Sequence, residues 1–158
     1  MSIKVGDKAP IFTLYSSEKE EVKLEDYQGK SNVLILFFPL AFTGVCTTEM
    51  CSMRDNMAMY NEMNAEVLGI SVDTVFTLEK FKAAENLNFT LLSDFNKDVS
   101  KTYSAFYEDF VLGMKGVSKR AAFIIDKNGI IRYIEVLESA GDLPNFEAIK
   151  STLSSLNK

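Results

Sequence analysis

No histidine and no tryptophan occur among the 158 residues, and cysteine, proline and arginine are scarce at two, three and three. Without an imidazole, a Ser-His-Asp hydrolase, a Cys-His protease, a histidine-ligated zinc site and a histidine general base are all excluded. Two cysteines are too few for a four-thiolate zinc site and too sparse for a disulfide-stapled secreted scaffold, which leaves them a redox role or an inert buried one. No cluster of Lys and Arg stands out, and 17 cations against 22 anions give a net charge of −5, which argues against a nucleic-acid surface. The stretch Met1 to Asp7 lacks the apolar core of a signal peptide. The longest apolar run, Val33 to Phe42, is far short of the ~20 residues that cross a bilayer and contains Pro39. These absences predict a soluble, cytoplasmic chain that binds neither nucleic acid nor membrane and keeps its thiols reduced.

What remains is ordinary in composition and uninterrupted by linkers, repeats or low-complexity tracts, so one domain is expected from Ile3 to Leu156. A chain of this length buries roughly 70% of the surface its unfolded form exposes and needs no staples. Strand signals occur at Ile11 to Tyr15 and Val22 to Leu24, around the charged run Glu18 to Glu21, which reads as a solvated turn. Asn32 to Phe38, rich in Val, Ile and Phe, reads as a central parallel strand buried on both faces and stopped by Pro39. From Cys46 to Asn64 the pattern is helical, with Cys46, Met50, Met53, Met57 and Tyr60 along one inward stripe, where methionine serves packing. Val67 to Val72 predicts a second buried strand, Leu78 to Glu85 a helix, and Asp98 to Tyr103 a shorter helix. Ala121 to Asp126 and Ile130 to Leu137 are joined through Asn128-Gly129, a strong hairpin signal, and Pro144 to Leu156 closes the chain as an amphipathic helix. The sum is an α/β protein: a central mixed β-sheet with helices on both faces. Tyr103, Phe106, Tyr107 and Phe110 are expected to flank the functional site or to form a subunit contact.

The most informative segment is Pro39-Leu40-Ala41-Phe42-Thr43-Gly44-Val45-Cys46, followed by Cys51. It sits where a buried strand gives way to a helix, the edge at which open α/β sheets place their ligands. A thiol in the first turn of a helix faces unpaired backbone N–H groups and the positive end of the macrodipole, both of which favour thiolate. Acidification alone gains little. Lowering a thiol pKa from about 8.5 to about 6 raises the thiolate at pH 7 roughly 30-fold, while a Brønsted slope of about 0.45 costs ~13-fold in nucleophilicity. A fast thiol reaction needs groups that stabilise its transition state.

Pro39, Thr43 and Cys46 match the PxxxTxxC signature of peroxiredoxins, and the likeness extends to Gly6, Ala9, Pro10, Phe12 and Leu14, to Leu92-Ser93-Asp94 and to Phe123-Ile124-Ile125-Asp126. The segment Phe38 to Cys46 resembles the alkyl hydroperoxide reductase E group within that family, while the position of Cys51 resembles the bacterioferritin comigratory protein type. The resemblance implies a thioredoxin-like fold and a thiol-dependent peroxidase acting on hydrogen peroxide or small organic hydroperoxides, without metal or organic cofactor. It implies a thioredoxin-like or low-molecular-weight thiol as reductant and, by family habit, a homodimer. Cys46 is then the peroxidatic cysteine, Thr43 a hydroxyl aimed at thiolate and peroxide, and Pro39 a shield against water. The family's arginine falls on Arg120. Arg54 lies eight residues along the helix, a rise of ~12 Å, and Arg132 lies beyond the hairpin turn. Glu49 either orients Arg120 or merely suits the helix dipole, and Thr47 and Thr48 serve the helix start.

Cys51 admits two readings. As a resolving cysteine it attacks the sulfenic acid on Cys46; as a packed residue it is inert. Helical geometry opposes the first, since positions i and i+5 differ by ~140° and place their Cα atoms ~8.6 Å apart, whereas a disulfide needs less than about 7 Å. Resolution within the chain therefore requires the first turns of the helix to unwind. From a different class, a thioredoxin-fold thiol sensor or binding module without efficient turnover is the alternative, and Thr43 and Pro39 favour the enzyme.

Overall fold

In the computed structural model, which describes residues Ile3 to Asn157, side chains of the buried strands alternate between two apolar layers. Leu34, Leu36 and Phe38 face one layer, and Val33, Ile35 and Phe37 face the other. That two-sided burial makes β3 (Asn32–Phe37) an interior strand of the sheet. It pairs in parallel with β4 (Ala65–Ser71) and antiparallel with β8 (Ala121–Ile125). The seven-stranded sheet runs β2-β1-β5-β4-β3-β8-β9, adding β1 (Thr13–Ser16), β2 (Glu21–Lys23), β5 (Thr90–Ser93) and β9 (Ile131–Val136). It is mixed, as expected, with β3, β4 and β5 parallel.

Helices cover both faces. On the layer of Leu34 and Leu36 lie α1 (Gly44–Asp55), α2 (Met57–Glu62), α3 (Val75–Glu85) and α5 (Phe146–Leu156), through Met50, Met53, Tyr60, Leu78, Phe81, Ile149 and Leu153. On the other lies α4 (Asp98–Thr102), with Val99 and the neighbouring Tyr103 against Phe37 and Phe123. Among the described residues no helix is long and apolar enough to cross a membrane.

The chain departs from expectation in several places. The helix drawn from Cys46 to Asn64 begins two residues earlier, at Gly44, and breaks at Asn56. Asn56 takes φ −112° and ψ 9°, and its side-chain amide donates to the Ser52 carbonyl at 2.8 Å, a local bond that competes with helix continuation. Three strands escaped the sequence pattern: β5, and the separate ribbon of β6 (Phe106–Asp109) with β7 (Lys115–Ser118). Tyr103 neither flanks the candidate site nor meets a subunit; it is wholly buried, with its hydroxyl on the Pro10 carbonyl at 2.6 Å. The run Glu18 to Glu21 is not merely solvated, because Glu18 pairs with Lys82 at 2.6 Å and Lys19 with Glu79 at 3.1 Å, pinning the turn to α3.

Candidate active site around Cys46

β3 delivers the chain to the site. After Phe37 the buried pair Phe38-Pro39 ends the strand, and the loop 40–43 turns the backbone into α1. Phe42 takes φ +66°, a left-handed conformation that a bulky side chain rarely adopts. Asp73, just past the end of β4, holds this loop: its Oδ2 accepts the Ala41 N–H at 2.8 Å and the Ser71 hydroxyl at 2.7 Å. The site thus lies at the carboxyl ends of the parallel strands.

Thr43 is the N-cap of α1, but its side chain does not cap. Its Oγ1 donates to the Leu40 carbonyl at 2.7 Å. That proton is committed to the loop, so the hydroxyl is left with lone pairs for an incoming O–H. The first helical bond runs from the Thr47 N–H to the Thr43 carbonyl at 2.9 Å; the amides of Gly44, Val45 and Cys46 precede it and belong to the open positive end of the helix. Cys46 therefore sits in the first turn and heads the inward stripe, retaining 1% of its surface. Around it in the chain Phe42, Thr43, Gly44 and Thr48 are exposed, while the sulfur itself is covered.

Arg120 reaches the same point from the opposite end of the chain. It immediately precedes β8, whose antiparallel pairing with β3 sets Ala121 beside Phe37. The guanidinium is 1% exposed; its Nη2 donates to Cys46 Sγ at 3.3 Å and to the Ala140 carbonyl at 2.8 Å, and its Nη1 donates to Glu49 Oε1 at 2.7 Å. Burial works against the guanidinium's charge, but Glu49 and then the Cys46 sulfur outweigh it and raise its pKa above the ordinary value. Glu49 is fully buried, and its carboxyl is pushed up to about 7 by desolvation, which Arg120 only partly offsets. The pairing uses one oxygen and one nitrogen, leaving Glu49 Oε2 and Arg120 Nε without partners.

Of the residues singled out in the sequence, Cys46 and Arg120 are in contact, Thr43 and Pro39 line the turn that presents Cys46, and Glu49 contacts Arg120. Cys51 points elsewhere: its thiol donates to Glu85 Oε2 on α3 at 3.4 Å, and both cysteines are free. Two contributors went unread. The Ala140 carbonyl has no side-chain signal at all. Asp73 did carry one, an acidic residue just beyond a buried strand at the sheet edge where the thiol lies.

An α/β sheet presenting a helix-first-turn thiol to a buried guanidinium defines a thiol redox protein of the thioredoxin-like fold. Residues 5–134 match the AhpC/TSA family model, and the chain belongs to that family of peroxiredoxins. It is 38% identical over 136 residues to alkyl hydroperoxide reductase E of Mycobacterium tuberculosis, covering 85% of this chain and 86% of that one. It is 42% identical over 133 residues to a putative peroxiredoxin bcp of Coxiella burnetii, covering 83% and 87%. The crystal structure of peroxidoxin BcpB from Mycobacterium tuberculosis superposes with a TM-score of 0.85 at 27% identity, over 98% of both chains.

Proposed function

We propose that Cys46 is the sulfur at which this chain, as a peroxiredoxin a thiol-dependent peroxidase, reduces hydrogen peroxide or small organic hydroperoxides. The thiolate attacks one peroxide oxygen, the O–O bond breaks, Cys46 becomes a sulfenic acid, and the other oxygen leaves as water or alcohol after taking up a proton. The Arg120 guanidinium and the amides of Val45 and Cys46 hold the oxygens as charge moves onto the leaving atom. Thr43, whose proton is engaged by Leu40, accepts a hydrogen bond from the peroxide. Pro39, buried beneath the turn, keeps water from the sulfur. Glu49 fixes the guanidinium plane. No step draws on a metal or an organic cofactor.

Arg120 Nη2 at 3.3 Å from Cys46 Sγ carries this reading. Replacing Arg120 with Met is expected to slow single-turnover oxidation by about 10²-fold or more, the usual cost of losing one preorganised donor. An unchanged rate in a folded variant overturns the assignment. Cys51 is the resolving thiol in this proposal, after unwinding of α1, with a thioredoxin-like or low-molecular-weight thiol restoring both cysteines. One equivalent of peroxide should then remove two hydrogens from the wild-type mass and add one oxygen to Cys51→Ser. Identical products would leave Cys51 a packing residue. The remaining proposals are one domain over Ile3 to Leu156, a cytoplasmic setting that keeps the thiols reduced, and a homodimer as in family habit. Peroxidase turnover is favoured over a sensor by the family match and by the guanidinium contact.

A further inference from the structure

Cys51 is tied down, and the tie is built from polar groups on two helices. Its thiol donates to Glu85 Oε2 at 3.4 Å, and Glu85 is the last residue of α3. One turn further along α1, Arg54 Nη1 donates to the Glu85 carbonyl at 2.6 Å, where a cation also suits the negative helix end. The Asn88 side-chain amide returns a bond to the Arg54 carbonyl at 3.3 Å. The charged groups facing Cys51 are Glu85 from α3 and Arg54 and Asp55 from its own helix. Burial first, then the Glu85 hydrogen bond, pushes the Cys51 thiol up, with Arg54 opposing.

We propose that Glu85 is a positioning residue for the resolving step, a latch that keeps the Cys51 thiol docked on the end of α3 so that Cys46–Cys51 disulfide formation waits for this contact to break. The inference rests on the reading of Cys51 as the resolving thiol. In the step it controls, the Cys51 sulfur attacks the Cys46 sulfenic sulfur, an S–S bond forms, the S–O bond breaks, and the hydroxyl leaves with the Cys51 proton as water. A docked, protonated thiol is a poor nucleophile and lies on the wrong side of the helix. Release therefore couples three events: unwinding the first turns of α1, breaking the bond to Glu85, and ionising Cys51. The latch lengthens the life of the sulfenic acid, which leaves time for an external thiol to intercept it.

Glu85→Gln keeps the shape and removes the charge, while Glu85→Asp keeps the charge. In a Cys46→Ser background, the pH midpoint of Cys51 alkylation by iodoacetamide should fall with Glu85→Gln and stay close to the parent with Glu85→Asp. In the chain carrying both cysteines, acid-quenched intact mass after one equivalent of hydrogen peroxide should show disulfide forming at pH 7 about threefold faster or more in Glu85→Gln, with the rate profile displaced to lower pH. Urea unfolding separates a general loosening of α3 from this effect: a loosened α3 would also expose Cys51 and lower its midpoint, so the displaced profile counts for the latch only with Glu85→Gln as stable as the parent. If wild type and Glu85→Gln form the disulfide with the same rate and profile, the latch is refuted and the resolving role of Cys51 stands. If the wild type gains one oxygen and never loses two hydrogens, the resolving role fails and the latch with it.

Discussion

Glu49 and Arg120 form a buried ion pair, and the desolvation of such a pair commonly offsets its attraction, so it is weak grounds for stability. What it provides is orientation: the bond at 2.7 Å from Nη1 leaves Nη2 to face the Cys46 sulfur and the Ala140 carbonyl. Its cost has a pH signature. The Glu49 carboxyl, pushed up to about 7 from 4.5 chiefly by burial, holds a proton in the folded chain over a range where the unfolded chain has lost it. Its contribution to stability is full below about pH 4.5 and is lost as pH rises through about 7, at no more than about 1.4 kcal/mol per pH unit. Glu49→Gln removes that titration while keeping an oxygen for Arg120. Urea unfolding of both proteins from pH 5 to 8 should show the variant gaining stability relative to wild type as pH rises. Parallel curves would mean that Glu49 is ionised throughout.

At the scale of elements, α1 is where sequence and structure agree most and also where they part. The stripe from Cys46 through Met50 and Met53 to Met57 and Tyr60 was legible because burial on one helical face imposes a 3.6-residue period, and all five are buried. The break at Asn56 was not, because its cause is a side-chain bond to the Ser52 carbonyl rather than a glycine or proline. The hairpin of β8 and β9 was legible from Asn128-Gly129: Gly129 adopts φ +81° and its N–H closes on the Asp126 carbonyl at 2.9 Å. β6 and β7 are four residues each; β6 is half-exposed to exposed along its length, and the buried residues of β7, Gly116, Val117 and Ser118, include only one large apolar side chain, so no apolar run or alternation marks them. Within the site, Cys46 was readable from its place at the start of a helix after a buried strand, and Thr43 from the family signature it shares with Pro39 and Cys46. Arg120 lies 74 residues from Cys46, and family resemblance, not spacing, pointed to it. The Cys51–Glu85 contact, spanning 34 residues, depends on how α1 packs against α3 and leaves no local trace.

For the molecule as a whole, the site is not a surface addition but part of one wall of the core, since Cys46 shares its apolar layer with Met50, Met53, Phe81 and Leu153. A Cys46–Cys51 disulfide cannot form while α1 is wound, so oxidation trades core for crosslink. Closing so short a loop gains only about 2 kcal/mol from the unfolded state's lost entropy. Removing a buried methionine from a core costs roughly 2–5 kcal/mol, and unwinding the start of α1 withdraws Met50, which is wholly buried, along with the partners of Arg120. The loss outweighs the gain. In a chain of this size each kcal/mol moves the melting temperature by about 2–4 °C, so the disulfide form should melt below the reduced form, by up to roughly 12 °C, and lose helical signal in far-UV circular dichroism. Cys51→Ser treated with the same peroxide keeps α1 wound and serves as the control. A disulfide form that melts as high as the reduced protein, with its helix content intact, would show that the two sulfurs meet without opening the core.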